Sequence, residues 1–212
     1  MRSVLAAGSD TRIRIRQNAT RRYSMFNHVE SIRRSNAEPE DVIVTLDGDD
    51  WLADKEALQR IADTYQRYDC WLTYGSWLSN VVGPTGVRNG LWPAYPEGTT
   101  DFRRHRFLGT ALRTWKRWLW DCLHDCDLRG DSGEYVRVSE DQMIMIPLLE
   151  MCGTRRAKHI AAPIMTYNKL VHYDHAPEIA EERVRNGHLI DRRPPYPGLA
   201  RKASALASQP AP

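Results

Sequence analysis

The run Val42-Ile43-Val44-Thr45-Leu46 passes directly into Asp47-Gly48-Asp49-Asp50, and this junction limits the folds open to the chain. Five apolar or β-branched residues in a row predict a buried strand. Three aspartates crowded at its carboxyl end must then face water, a cation or a proton. Two unit charges ~4 Å apart repel by about 1 kcal/mol in water and about 4 kcal/mol at an effective dielectric of 20, so a half-buried cluster recruits a cation or keeps a proton. Ligands of open α/β sheets bind in the crevice at the carboxyl ends of the strands. The junction therefore predicts an α/β fold and a site together.

The flanking patterns extend that fold. Thr11 to Arg16 alternates Ile13 and Ile15 with arginines, as a short half-buried strand does, and Phe26, Val29 and Ile32 recur at helical spacing until the break at Ser35 to Pro39. After Asp54 as N-cap, Leu58, Ile61, Ala62 and Tyr65 form an amphipathic pattern. Trp71, Tyr74, Trp77, Trp92 and Tyr95 lie among Gly and Pro as strand, loop and return strand. Leu108, Leu112, Trp115, Leu119, Cys122 and Cys126 step by threes and fours, which predicts one long helix. Ser139 to Gln142 matches a capping box and opens a helix through Glu150, with Pro147 as a kink and Gly153 near its close; His159 to Tyr167 is a last strand. The pattern begins an α/β sandwich in one globular unit over 1–185, followed by a tail, 186–212, too poor in apolar residues to pack.

Composition excludes several classes. The 212 residues are 42% hydrophobic and 27% charged with a formal charge of +3, too small to indicate a nucleic-acid binder. No apolar run approaches the ~18 residues of a membrane span, and the opening MRSVLAAGSD turns polar too soon for a signal peptide. Cys70, Cys122, Cys126 and Cys152 form no CxxC pair, so reduced core thiols in the cytoplasm are expected, with Cys122 and Cys126 packing on a helix stripe rather than binding metal.

Hard carboxylate oxygens at Asp47, Asp49 and Asp50 point to Mg²⁺ or Mn²⁺. Capping of the next turn would use one aspartate and leave two. An EF-hand is excluded because Trp51 and Leu52 stand where its Asp or Asn and Gly belong. A phosphohydrolase of the haloacid-dehalogenase type also sets Asp-x-Asp after a buried strand, with Asp47 as nucleophile; Thr73 and Lys158 would have to serve as its phosphate-binding residues, at unconvincing spacing.

LDGDDWL followed by a helix and WLTYGSW resembles the family 2 glycosyltransferases of the GT-A fold, and LRTWKRWLW, SEDQMIMIPLLEMCG, IMTYN and HYDH then follow in the order of the subgroup with an LRTF-type helix. The resemblance spans roughly Arg21 to His175 and implies a GT-A, Rossmann-like mixed sheet. It implies that Asp47 contacts the nucleoside part of a nucleotide-sugar donor, a UDP-sugar foremost. Asp49 would bind the divalent ion bridging the diphosphate, Asp50 would support either, and Arg22 would belong to the donor region. It further implies Asp141 as general base, with Glu140 next in line, inversion of the anomeric centre, and His175, in preference to His172, as a metal ligand. Asp141 also reads as a first-turn carboxylate favoured by the helix dipole. Trp77 and Trp92 are candidate sugar platforms, and Arg113, with Arg103, Arg104 and Arg106, a candidate contact for the diphosphate or an anionic acceptor.

The family's first βαβ unit, ending in Asp-Asp-x-Ser, has no counterpart before Val42. The expectation is an N-terminally truncated GT-A sheet with an open edge that invites a homodimer, and weak binding of nucleotide sugar. A domain that keeps the fold and acts only in binding is the alternative to an enzyme.

Overall fold

The computed structural model describes residues 10–82, 89–90, 92–170 and 177–200, and the backbone alone at 89–90. Helix α1 spans Tyr23–Arg33 and strand β1 Val42–Thr45; β2 (Trp51–Leu52), α2 (Ala57–Arg67), β3 (Leu72–Ser79) and β4 (Asn89–Gly90) follow. Then come β5 (Arg113–Lys116), α3 (Arg117–Trp120), a 3-10 turn at Asp125–Leu128, α4 (Glu140–Arg156), β6 (Ala157–Tyr167) and α5 (Pro177–Arg192). The molecule is an α/β fold with a mixed sheet in the order β1-β5-β3-β6-β2 and β4 on the flank of β3.

Strand β5 is antiparallel to both β1 and β3, and β6 runs parallel to β3, so β1, β3 and β6 share one direction. β1 and β2 lie at opposite edges of this order, yet only Leu46 to Asp50 connect them. Fully extended, that link reaches roughly 20 Å, and a turn closed by the Asp50 N–H to the Asp47 carbonyl (3.0 Å) shortens it. A flat path over four inter-strand steps is about 19 Å. The sheet therefore curls, which brings its two edges together at the end where the aspartates cross.

Gly75 makes the centre of the sheet possible: a Cβ there would meet the Ile160 carbonyl oxygen of β6 at 2.8 Å. The larger buried cluster joins α1 (Met25, Ile32), the tryptophans Trp71, Trp115 and Trp118, and the α4 run Met143 to Leu149; a smaller one lies under α2 (Ala57, Ile61) against Ile160, Ile164 and Met165.

Several local expectations are corrected. Residues 11–16 form no strand, and Ile13 and Ile15 are exposed. β1 is half-buried rather than buried, because it pairs with β5 alone among the described strands. The predicted helix over 108–126 is a strand, one short helix and a 3-10 turn. Partners on both sides of residues 113–116 supply the backbone hydrogen bonds a helix would otherwise make, and Thr114 and Trp115 suit a sheet interior. Cys122 is buried as expected, but Cys126, beyond the helix, is exposed. α2 buries Ala57 and Ile61 and leaves Leu58 and Ala62 exposed; Asp54 precedes its first turn, accepting the Glu56 N–H at 2.9 Å.

Residues 186–200 also pack. Asn186, Leu189 and Ile190 are buried, and Tyr196 and Leu199 lie against the main core. The Arg103 guanidinium fastens this segment. It donates to Glu150 from Nε (2.5 Å) and Nη2 (3.0 Å), and to the carbonyls of Ile190, Arg193 and Pro194 around the end of α5. Both side chains of the pair are buried, so removing one partner strands a charge and several helix-end carbonyls. Arg103→Ala is expected to cost about 3 kcal/mol in chemical denaturation, with proteolysis of native protein shifting to the segment after Pro177.

Candidate active site

The carboxyl ends of β1, β3 and β6 and the start of antiparallel β5 open into a cleft of about 1030 Å³. Its floor is the Asp47-Gly48-Asp49-Asp50 crossing, with Trp77 from β3, Tyr167 from β6 and Arg113 from β5. Arg21, Arg22, Tyr23 and Asn27 from the start of α1 form one wall, Arg137 to Gln142 at the start of α4 the next, and Ile179 and Arg183 of α5 the far side.

The floor and the three walls come from segments distant in sequence that meet here. Arg113, with 11% of its side chain exposed, lies between two of them: Nη2 is 3.8 Å from Asp47 and Nη1 is 3.7 Å from Asp141. A nearly buried guanidinium between two carboxylates offsets their repulsion and sets the distance between the strand end and the helix start. Arg113 thus keeps its expected place in the cleft, with two carboxylates of the chain beside its guanidinium.

Asp50 accepts the Asn168 N–H at 2.8 Å, which ties the aspartate turn to the end of β6. Burial pushes its carboxyl up to about 6; the Asn168 bond opposes the shift, Asp49 and Asp47 add to it, and Arg113 opposes it. Glu140 is raised chiefly by burial and then by Asp141. His28 on α1 borders a small cavity with Arg113, Glu140 and Asp141, and burial and the Arg113 charge lower its pKa.

The helix behind Asp141 begins without the expected capping box. Ser139 has φ 64 and ψ 22, and its hydroxyl makes no cap bond, since an N-cap needs extended backbone. Its carbonyl still accepts the Met143 N–H at 3.0 Å, and Glu140 and Asp141 occupy the first turn, where the helix dipole favours them. The other non-glycine residue with positive φ among those described is Tyr23, at 60°. Both line the cleft. Left-handed backbone at a residue with a side chain costs roughly 1–2 kcal/mol and collects at functional sites.

Asp47, Asp49, Asp50, Arg22, Trp77, Arg113, Glu140 and Asp141 all line this cleft. Trp92 does not: it bonds to Ser76 and carries Arg106 over its ring at 4.4 Å. Trp71, Tyr74 and Tyr95 are core residues, Arg103 is the latch on α5, and Arg104 pairs with Asp101. His172 and His175 lie outside the described residues. Thr73 is buried with its hydroxyl 2.7 Å from that of Thr114, and Lys158 lies over Tyr68; neither lines the cleft with Asp47. Tyr23, His28, Arg137 and Arg183 border these cavities without a sequence signal; only the adjacency of Arg137 to the Ser139-Glu140-Asp141 segment could have pointed to one of them.

Among the described residues no group of three His, Cys, Asp or Glu is arranged to hold a metal by itself. The donor chemistry nonetheless fits Mg²⁺ or Mn²⁺, since such ions are held by one or two carboxylates with waters and substrate phosphates completing the shell. Asp47 and Asp49, on open cleft floor, are of that kind. No family model matches the chain, and no curated protein matches it.

A raised carboxyl pKa stabilises the fold at low pH, and that contribution is lost as pH rises through the folded value. For Asp50 the window runs from the ordinary carboxylate range to about 6. Asp50→Asn keeps an acceptor for Asn168, so it should raise Tm more at pH 8 than at pH 4.5, and carboxyl NMR should lose one titration near pH 6.

Proposed function

We propose that the chain is a metal-dependent glycosyltransferase that moves a sugar from a nucleoside diphosphate donor, a UDP-sugar foremost, to a hydroxyl acceptor with inversion. The observation that carries this reading is the convergence of Asp47, Asp49 and Asp50 with Glu140 and Asp141 in one cleft. Its volume is at the upper end for a small-molecule site, which suits a nucleotide and a second substrate together. A mixed α/β sheet flanked by helices agrees with the GT-A architecture.

The reaction exchanges one C–O bond for another. The acceptor oxygen attacks the anomeric carbon and loses its proton, while the diphosphate departs with the bonding pair. Asp47 and Asp49 would hold Mn²⁺ or Mg²⁺, which when bound neutralises charge gathering on the departing diphosphate. Asp141, with 35% of its side chain exposed, is open to an acceptor hydroxyl and takes its proton. Arg113 fixes the distance from that base to the acidic floor. Glu140, in the same turn, is the alternative base. Trp77 is the aromatic side chain placed to meet a sugar ring, with Tyr167 5.2 Å from it and the Lys169 ammonium 5.0 Å from its ring centroid.

The test is release of UDP from a panel of UDP-sugars with Mn²⁺, alongside calorimetry with UDP. Asp49→Ala is expected to fold normally and lose both Mn²⁺-dependent UDP binding and UDP release. Asp141→Asn should lower turnover by roughly 10²–10⁴-fold with UDP binding kept, and a larger loss in Glu140→Gln would move the base to Glu140. A folded chain that neither binds UDP with Mn²⁺ nor releases it would sink the reading.

A further inference from the structure

The wall at the start of α1 carries two neutral amides and a stacked cation. Asn18, ahead of the helix, and Asn27, within it, both line the cleft, and Asn18 Nδ2 donates to Asn27 Oδ1 at 2.7 Å. A carboxamide has one amino group and one carbonyl, so this bond leaves the Asn18 carbonyl and the Asn27 amino group without another partner among the described residues. Turning both amides over exchanges these groups and still leaves one donor and one acceptor. Arg22, also in the cleft lining, holds its guanidinium carbon 4.0 Å from the centroid of the Phe26 ring, and Phe26 meets Tyr135 edge-on at 6.2 Å. A guanidinium held on a ring is a flat surface of the kind on which nucleobases stack. His28, which follows Asn27 in α1, shares a small cavity with Thr45 at the end of β1, so this wall meets the sheet two residues before Asp47.

We propose that Asn18 and Asn27 read the base of the bound nucleotide, pairing with the imide edge of uracil while Arg22 on Phe26 stacks against its face. That the nucleotide is a sugar donor rests on the glycosyltransferase reading; the base site itself rests on the amide pair and the stacked cation. An imide edge presents one N–H between two carbonyls. The N–H donates to the free amide carbonyl, and a ring carbonyl accepts from the free amino group. Because both neighbours of the N–H are acceptors, the match holds in either sense, whereas cytosine offers an adjacent donor and acceptor in one sense only. Neither asparagine carries charge, so the pair selects the base without competing for the diphosphate at the acidic floor.

The experiment measures binding of UDP and of N3-methyl-UDP, which lacks the imide N–H, with Mn²⁺ to the full chain, Asn18→Ala and Asn27→Ala. The parent should bind N3-methyl-UDP about tenfold more weakly than UDP, as expected for lost hydrogen bonding to the base. In both variants that gap should close to about twofold or less, with N3-methyl-UDP bound as by the parent, which also reports an intact fold. Equal binding of the two ligands by the parent overturns the base site, and so does a gap that persists in both variants. Loss of both ligands in the variants overturns it as well, because the asparagines would then serve the fold or the diphosphate. Failure of the parent to bind UDP overturns it outright. Release of UDP from a UDP-sugar by a parent that does not distinguish the two ligands leaves the glycosyltransferase reading standing and removes the base site. A gap that depends on Asn18 and Asn27 without any release of UDP keeps the base site and removes the glycosyltransferase reading.

Discussion

The contact of Arg113 with Asp47 on one side and Asp141 on the other joins the sheet to the helix that closes the cleft. Five carboxylates line this cavity. Without a cation among them the strand end and the α4 start would repel across the opening. The guanidinium reaches that position because β5 is antiparallel between β1 and β3, so its first residue stands where its neighbours in the sheet end or continue into the crevice. A long helix over residues 108–126 would not deliver Arg113 there, and β1 would have no partner among the described strands.

Curling of the sheet serves the same end. The aspartate crossing is short, so the two edges approach and the carboxyl ends of β1, β3 and β6 face a common space. The helices then enclose it, α1 and α4 at their first residues and α5 along its side. The latch from Arg103 to Glu150 and to the end of α5 lies remote from the acidic floor, yet it secures the helix that carries Ile179 and Arg183. Stability at the distal face and shape at the cleft are coupled through one helix. The two left-handed residues, Tyr23 and Ser139, stand at the starts of the other two helical walls, and neither helix has a side-chain cap there.

Where side-chain pattern and local chemistry agree, the sequence is legible. The helix around Met25 to Ile32, β1, the start of α4 and the long β6 fall where periodicity and breakers put them. It misleads where one periodicity runs across two elements. Leu112, Trp115, Leu119 and Cys122 are spaced like a helix stripe, yet Leu112 packs in the smaller cluster under α2 and the other three in the larger one, so a single spacing runs across two cores. The Arg, Pro and Ala composition after Asn186 hides a packed segment, since Asn186, Leu189, Ile190 and Tyr196 are too few to signal a core contact without knowing what they meet. Alternating Ile and Arg at 12–16 has strand chemistry but pairs with none of the described strands.

By itself the sequence determined the local events: an apolar run ending in Asp47, Asp49 and Asp50, and a helix whose first turn carries Glu140 and Asp141. These follow from interactions a few residues apart, which spacing and residue type record. Only the tertiary structure decided that the two acidic groups share one cleft, that Arg113 stands between them, and that Arg137 and Arg183 line it with them. Those partners are set by strand order, sheet curl and helix packing, because a charge finds its counterpart in space, and no spacing along the chain encodes that distance.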